Sequence, residues 1–142
     1  MYLFLKEIHS TTATVLLSAL LIVIAYISYA WMTKKPMSKT TKIIAMLGMV
    51  VAQIQFIVGL ILYFLSPLGS SNFSAIAMKD SMSRLLILEH PLMMLLGIVL
   101  VTIGYSKAKR ATDDNRKYKY IVLFYSIGLL VILSRIPWEL WC

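Results

Sequence analysis

Four long apolar stretches alternate with short polar ones along this chain, and that alternation predicts nearly everything about its architecture. The stretches are Ser10–Met32, Ile43–Leu65, Leu85–Tyr105 and Tyr120–Ile136. A helix rises about 1.5 Å per residue, so a run of about 20 apolar residues crosses the hydrocarbon of a bilayer. The fourth run is the shortest and is expected to stand nearly upright. Within the second run, Ala45, Gly48, Ala52, Gln55 and Gly59 recur at helical spacing on one stripe. Small residues let helices approach closely in lipid, and an amide among them can bond across the contact. Gly97 and Gly104, seven apart in the third run, predict a second close-packing face. Pro91 sits near the start of that run and is expected to lie in its first turns or kink it.

The polar segments are too short for a soluble domain. The expected fold is all-α: an integral membrane four-helix up-down bundle, one domain over residues 1–142. Composition agrees, since 60% of residues are hydrophobic and only 14% charged. Met1–Glu7 reads as an amphipathic lead-in carrying Tyr2 and Phe4. The first apolar run is too long for a signal peptide's core, and its positive charges follow it, so it is expected to be retained. Ala75–Met82 suggests a short surface helix, and Asp80 or Ser81 a cap for the third helix.

The net charge of +8 is explained by where it lies. Lys34, Lys35, Lys39 and Lys42 occupy the first loop; Lys107, Lys109, Arg110, Arg116, Lys117 and Lys119 occupy the third. The other side holds Lys6, Lys79, Arg84 and Arg135, matched by Glu7, Asp80, Glu89 and Glu139. The positive-inside rule then places loops one and three in the cytoplasm and both termini on the outer, periplasmic side of a bacterial inner membrane. The bilayer is the expected partner, and nucleic acid is not. The one cysteine, Cys142, allows no intramolecular disulfide and no CxxCH attachment of haem. No phosphate loop, nucleophile elbow or HExxH is present, so no catalytic group distinguishes itself.

Ionisable side chains in such spans usually face the bundle and mark working sites. The sequence offers two imidazoles, His9 early in the first span and His90 early in the third, the latter within Glu89-His90-Pro91. Short loops make consecutive helices neighbours, so helices one and three lie on a diagonal, with both histidines in the same leaflet. Two facing imidazoles suit the axial positions of a haem iron. Arg84 and Arg135 on the outer rim suit its propionates, where Glu89 is unwelcome unless neutral or paired. Against this, His9 precedes Lys34 by eight more residues than His90 precedes Lys107. That is about 12 Å on straight helices ending level, a gap that tilt, the proline distortion or a longer third helix would absorb. Two other readings remain open: each histidine bonding separately between helices, and Cu(I) held by Met78, Met82, Met93 or Met94 with His90.

Several motifs occur together: His-Ser early in helix one (His9, Ser10), Gln-x-x-x-Gly-Leu-x-Leu-Tyr-Phe over Gln55–Phe64, Glu-His-Pro-Leu-Met-Met over Glu89–Met94, and Ile136-Pro137-Trp138. Together they resemble small four-helix membrane proteins of Bacteroidota described as cytochrome b-like, and the resemblance covers nearly the whole chain. It implies haem b within the bundle and a role as an electron carrier, not an enzyme. The chain departs from that pattern at Ala13 and Thr14, where many members have Arg-Trp, and at Gln53, where many have histidine. If that histidine is a ligand, the alternative is a haem-free accessory subunit of a larger membrane or respiratory complex.

Overall fold

The structure is a computed structural model, and it describes Met1–Trp141; Cys142 lies outside the described residues. Four long helices make up nearly all of it: α1 (Tyr2–Met32), α2 (Lys39–Leu65), α3 (Ser81–Arg110) and α4 (Asp114–Ser134). A single turn of helix, α5 (Trp138–Trp141), follows. All four long helices have the length and composition to cross a membrane, the mark of a multi-pass membrane protein. Their outward faces are apolar too, with Leu21, Ile22, Ile54 and Leu130 each more than half exposed. An apolar belt that large belongs against lipid, not water.

The helices form a square in which each packs on its chain neighbour and α1 also packs on α4. Helices α1 and α3 are therefore diagonal, as expected. The buried positions show why the square closes. On α1 they are Leu16, Leu20, Val23, Ile27 and Ala30; on α2 Thr41, Ala45, Gly48, Ala52 and Gln55. Both sets step by four and three alternately, a period of about 3.5 that keeps one seam inward and gives left-handed packing at a shallow angle. On α4, Tyr118, Ile121, Tyr125, Gly128 and Ile132 do the same. The bulk of Tyr125, fully buried, is matched by Gly48 opposite. Its hydroxyl donates to Ala45 O at 2.6 Å, joining α4 to α2 across the other diagonal.

Helix ends follow from local chemistry. Ser38, Asp80 and Asp113 each cap a helix by accepting a backbone N–H three residues on. Lys34, in the left-handed region at φ 54°, turns the chain so that Lys35 N–H returns to Ala30 O at 3.0 Å. The segment between α2 and α3 holds two 3₁₀ turns, Ser70–Asn72 and Ala77–Lys79, where the sequence suggested one short helix.

At one end of the bundle lie Met1, Trp141 and the α2–α3 segment; at the other lie the two basic loops, fastened to each other. Trp31 Nε1 donates to Asn115 Oδ1 at 2.7 Å, Met37 N to Asp114 Oδ2 at 3.0 Å, and Tyr118 OH to Lys35 O at 2.7 Å.

Candidate functional site

The first turns of α3 are wound wide. Residues Leu85–Glu89 form a π-helical segment just before Pro91, and such segments are frequent at functional sites. Proline explains part of it. Pro91 has no N–H for the carbonyl four residues earlier, that of Ile87, and its ring presses on it. The freed Ile87 O instead accepts from Tyr63 OH of α2 at 2.9 Å. The wide turn also brings Arg84 and Glu89, five apart, into register: Arg84 Nε lies 3.1 Å from Glu89 Oε1. Arg135, at the end of α4, approaches the other oxygen, Oε2, at 3.6 Å. Glu89, expected to be unwelcome unless paired, is paired twice. A cleft of about 320 Å³ opens beside this triad, lined among others by Met82, Ser134 and Glu139.

One residue further on, the structure answers the question posed by the histidines. The rings of His9 and His90 stand 6.3 Å apart, centre to centre, with their planes at 86°. The eight-residue mismatch shrinks to three because α3 runs on to Arg110. From His9 to the end of α1 there are 23 residues, and from His90 to the end of α3 there are 20. Gly59 of α2 makes room: a Cβ there would lie 2.8 Å from His9 Cε1.

Each ring is held by its Nδ1. His90 Nδ1 is 2.8 Å from Arg135 O. A carbonyl only accepts, so this nitrogen carries the proton and His90 Nε2 is a bare lone pair. On α1, the amide nitrogen of Gln55 donates to His9 O at 2.8 Å and lies 3.0 Å from His9 Nδ1. The carbonyl fixes that side of the amide as nitrogen, so His9 Nδ1 accepts and a neutral ring keeps its proton on Nε2. Gln55 Oε1 in turn accepts from Thr12 Oγ1. Among the described residues no buried side-chain polar atom lacks a partner. On the same helix, Gln53 donates to Thr102 Oγ1 of α3 at 3.2 Å.

A metal held between two imidazoles would sit about 2 Å from one nitrogen of each, as in zinc–imidazole bonds. The ring centres of His9 and His90 are 6.3 Å apart. The second nitrogen of a metal-bound imidazole normally donates to a carbonyl or similar acceptor, as His90 Nδ1 does. His9 presents its lone pair on Nε2 once its proton sits on Nδ1, facing an oxygen of Gln55 instead of a nitrogen. As hydrogen-bonded here, only His90 presents a bare Nε2; His9 would have to move its proton to Nδ1 before it could act as a ligand. Among the described residues no group of three or more His, Cys, Asp or Glu is placed to hold a metal.

The sequence signal that could have found Gln55 was present. It stands on the inward stripe, four residues before the glycine that admits the ring. Of the methionines, Met78 offers its backbone carbonyl to Arg84 at 3.1 Å and Met82 lines the rim cleft. No family model, curated protein or solved structure matches the chain.

Proposed function

We propose that this chain is a b-type cytochrome-like protein of the bacterial inner membrane, holding one haem b between α1 and α3 and passing electrons. The observation that carries the reading is the pair of diagonal imidazoles, ring centres 6.3 Å apart near one end of the bundle. Haem b, when bound, would supply a one-electron iron couple whose potential depends on the residues that hold the iron and their hydrogen bonds.

The chain's own residues do the positioning. His9 and His90 would hold the iron. Arg135 O holds His90 by its Nδ1–H and raises its basicity as a ligand. Gln55 fixes the ring and backbone of His9. Arg84 and Arg135 neutralise Glu89, and their remaining guanidinium N–H groups would be donors for the propionates. By the positive-inside rule the basic loops are cytoplasmic, so the histidine end faces the periplasm. Electron donor and acceptor then dock on short loops or within a larger membrane complex, and no group acts as a catalytic acid, base or nucleophile.

The test is the visible spectrum of protein purified from its native membrane. A reduced-minus-oxidised α-band, lost in both His9→Ala and His90→Ala, supports the proposal. A second reading follows from the same hydrogen bonds, since each histidine already ties two helices together. In that case the protein is a haem-free accessory subunit, colourless and purifying in fixed ratio with a larger complex.

A further inference from the structure

The net charge is gathered at one end of the molecule. Ten of the fourteen lysines and arginines, and only two of the six acids, lie at the end where the basic loops are fastened, so that end alone carries the whole +8. The histidine end carries four of each sign and is balanced. Within the basic end a cleft of about 410 Å³ opens between the last turn of α1 and the first turn of α4. Its walls include Trp31, Lys34, Lys35, Asp114, Asn115 and Tyr118.

The polar groups of this cleft are disposed to receive an anion. Among the described residues neither Lys34 nor Lys35 forms an ion pair. The Lys35 ammonium lies 4.9 Å over the ring of Tyr29, itself 58% exposed on the outward face of α1. That contact holds the charge at the lipid margin. Asn115 Oδ1 is taken by the Trp31 indole N–H, which leaves the amide nitrogen of Asn115 to donate. Asp114 and Asn115 also open α4, where the first backbone N–H groups have no partner within the helix and favour negative charge. The one acid of the cleft, Asp114, turns Oδ2 to Met37 N–H.

Lys34 adds an independent sign. Among the described residues it is the one non-glycine with positive φ. Lys34 N–H returns to Trp31 O at 3.1 Å and Lys35 N–H to Ala30 O at 3.0 Å, the helix-ending turn in which glycine usually takes the left-handed position. Glycine would make that turn with less strain; the lysine brings a charge to the cleft instead.

We propose that this cleft binds the phosphodiester headgroup of an anionic phospholipid, with Lys34 and Lys35 as its cationic contacts and Asn115 as a neutral donor. Basic pockets between membrane helices hold such headgroups. A lipid fits better than a soluble anion, because Trp31 and Tyr29 belong at headgroup depth and the outward faces of both helices are apolar, with Ile22 on α1 and Leu123 and Ile127 on α4. The cleft lies at the opposite end of the bundle from His9 and His90, so it stands whether or not haem binds.

The experiment measures lipid retained by the full-length protein in native mass spectrometry from a mild detergent, with phosphatidylglycerol and phosphatidylcholine titrated separately. Both carry the phosphate, but only the first has a net negative charge. With two lysines engaged, wild-type protein should hold phosphatidylglycerol about tenfold or more tighter than phosphatidylcholine. One lysine near an anionic lipid is worth about fivefold, so Lys34→Gly should lose roughly that factor. Circular dichroism should show its helix content and melting unchanged or improved, since glycine suits the turn. Lys35→Gln should weaken binding to a similar degree, and Lys34→Arg should retain it. Lys119→Gln removes the same charge from the same end but outside the cleft, and should change binding by less than about twofold, because exposed charges at a distance are screened. Equal losses in the Lys34→Gly, Lys35→Gln and Lys119→Gln variants would reveal a diffuse basic surface and overturn the proposal. So would a wild-type protein that does not prefer phosphatidylglycerol. Millimolar inorganic phosphate should not displace the lipid; if it does, the cleft is a site for a free anion and the lipid assignment fails.

Discussion

The contact between α3 and α4 allows a quantitative test, because two glycines meet in it. A Cβ added at Gly97 would sit 2.5 Å from Ile132 Cγ1 and 3.1 Å from Gly128 O. Ile132 is 2% exposed and cannot swing aside, and the second obstacle is backbone. Gly97→Ala therefore forces the two helices apart. Overpacking of this kind costs about 1–3 kcal/mol. Spreading a packed face by 0.5–1 Å forfeits roughly a quarter to a half of each dispersion contact. Gly48 is the control. There the added Cβ would meet only side-chain atoms, Val23 Cγ2 at 3.3 Å and Tyr125 Cε2 at 3.5 Å. Both substitutions remove a mid-helix glycine and gain a similar propensity term of about 0.5–1 kcal/mol. Their difference thus isolates the steric cost, and Gly97→Ala should be less stable than Gly48→Ala by about 1–3 kcal/mol. Unfolding in mixed detergent–SDS micelles, followed by circular dichroism, measures it. Equal stabilities, or the reverse order, would refute the α3–α4 crossing described here.

Further outcomes follow from individual contacts. Tyr63→Phe leaves Ile87 O without its substitute donor and should cost about 0.5–1.5 kcal/mol in the same assay. Gly59→Ala places a methyl against His9 Cε1; haemin affinity should fall about tenfold or more with helix content unchanged, and unchanged affinity would show that the ring lies elsewhere. Asp80 lies outside the spans, and hydrogen bonds from the side chain and then the backbone of Ser83 hold its pKa below the usual 3.8. A depressed carboxylate stabilises the folded state above its unfolded pKa and loses that contribution as pH falls through the folded value. Protection of the Ser83 amide from hydrogen exchange should therefore decline only in acid below the ordinary aspartate range. Asp80→Asn, which caps without titrating, should flatten that dependence.

The spans and their inward stripes were legible because a period of 3.5 needs only residue size to announce itself. Ala45 through Gly59 and Gly97 with Gly104 fall where that rule puts them. Helix ends were read less well. α1 begins at Tyr2, not after a separate lead-in, because nothing between Met1 and His9 breaks a helix; α3 extends to Arg110 because Lys107, Lys109 and Arg110 favour a helix C-terminus. The extension of α3 cuts the histidine mismatch that straight, level spans implied from eight residues to three. The link between Gln55 and His9 was not legible, since helix register across a contact is set by packing and not by either sequence stretch alone. The wide turn before Pro91 was foreseen only as a distortion. Its outcome depends on Tyr63, 28 positions earlier in the chain, being there to take up the released carbonyl.

The fastening of the two basic loops has a mechanical consequence. With Trp31 tied to Asn115, Met37 to Asp114 and Lys35 to Tyr118, the α1–α2 and α3–α4 hairpins share a clasp at one end. Thermal opening of the four-helix square must then pivot about that clasp, and the widest excursion falls at the far rim, beside His9 and His90. A bulky planar guest would gain admission from that rim, through the gap between hairpins, with the clasped end left shut.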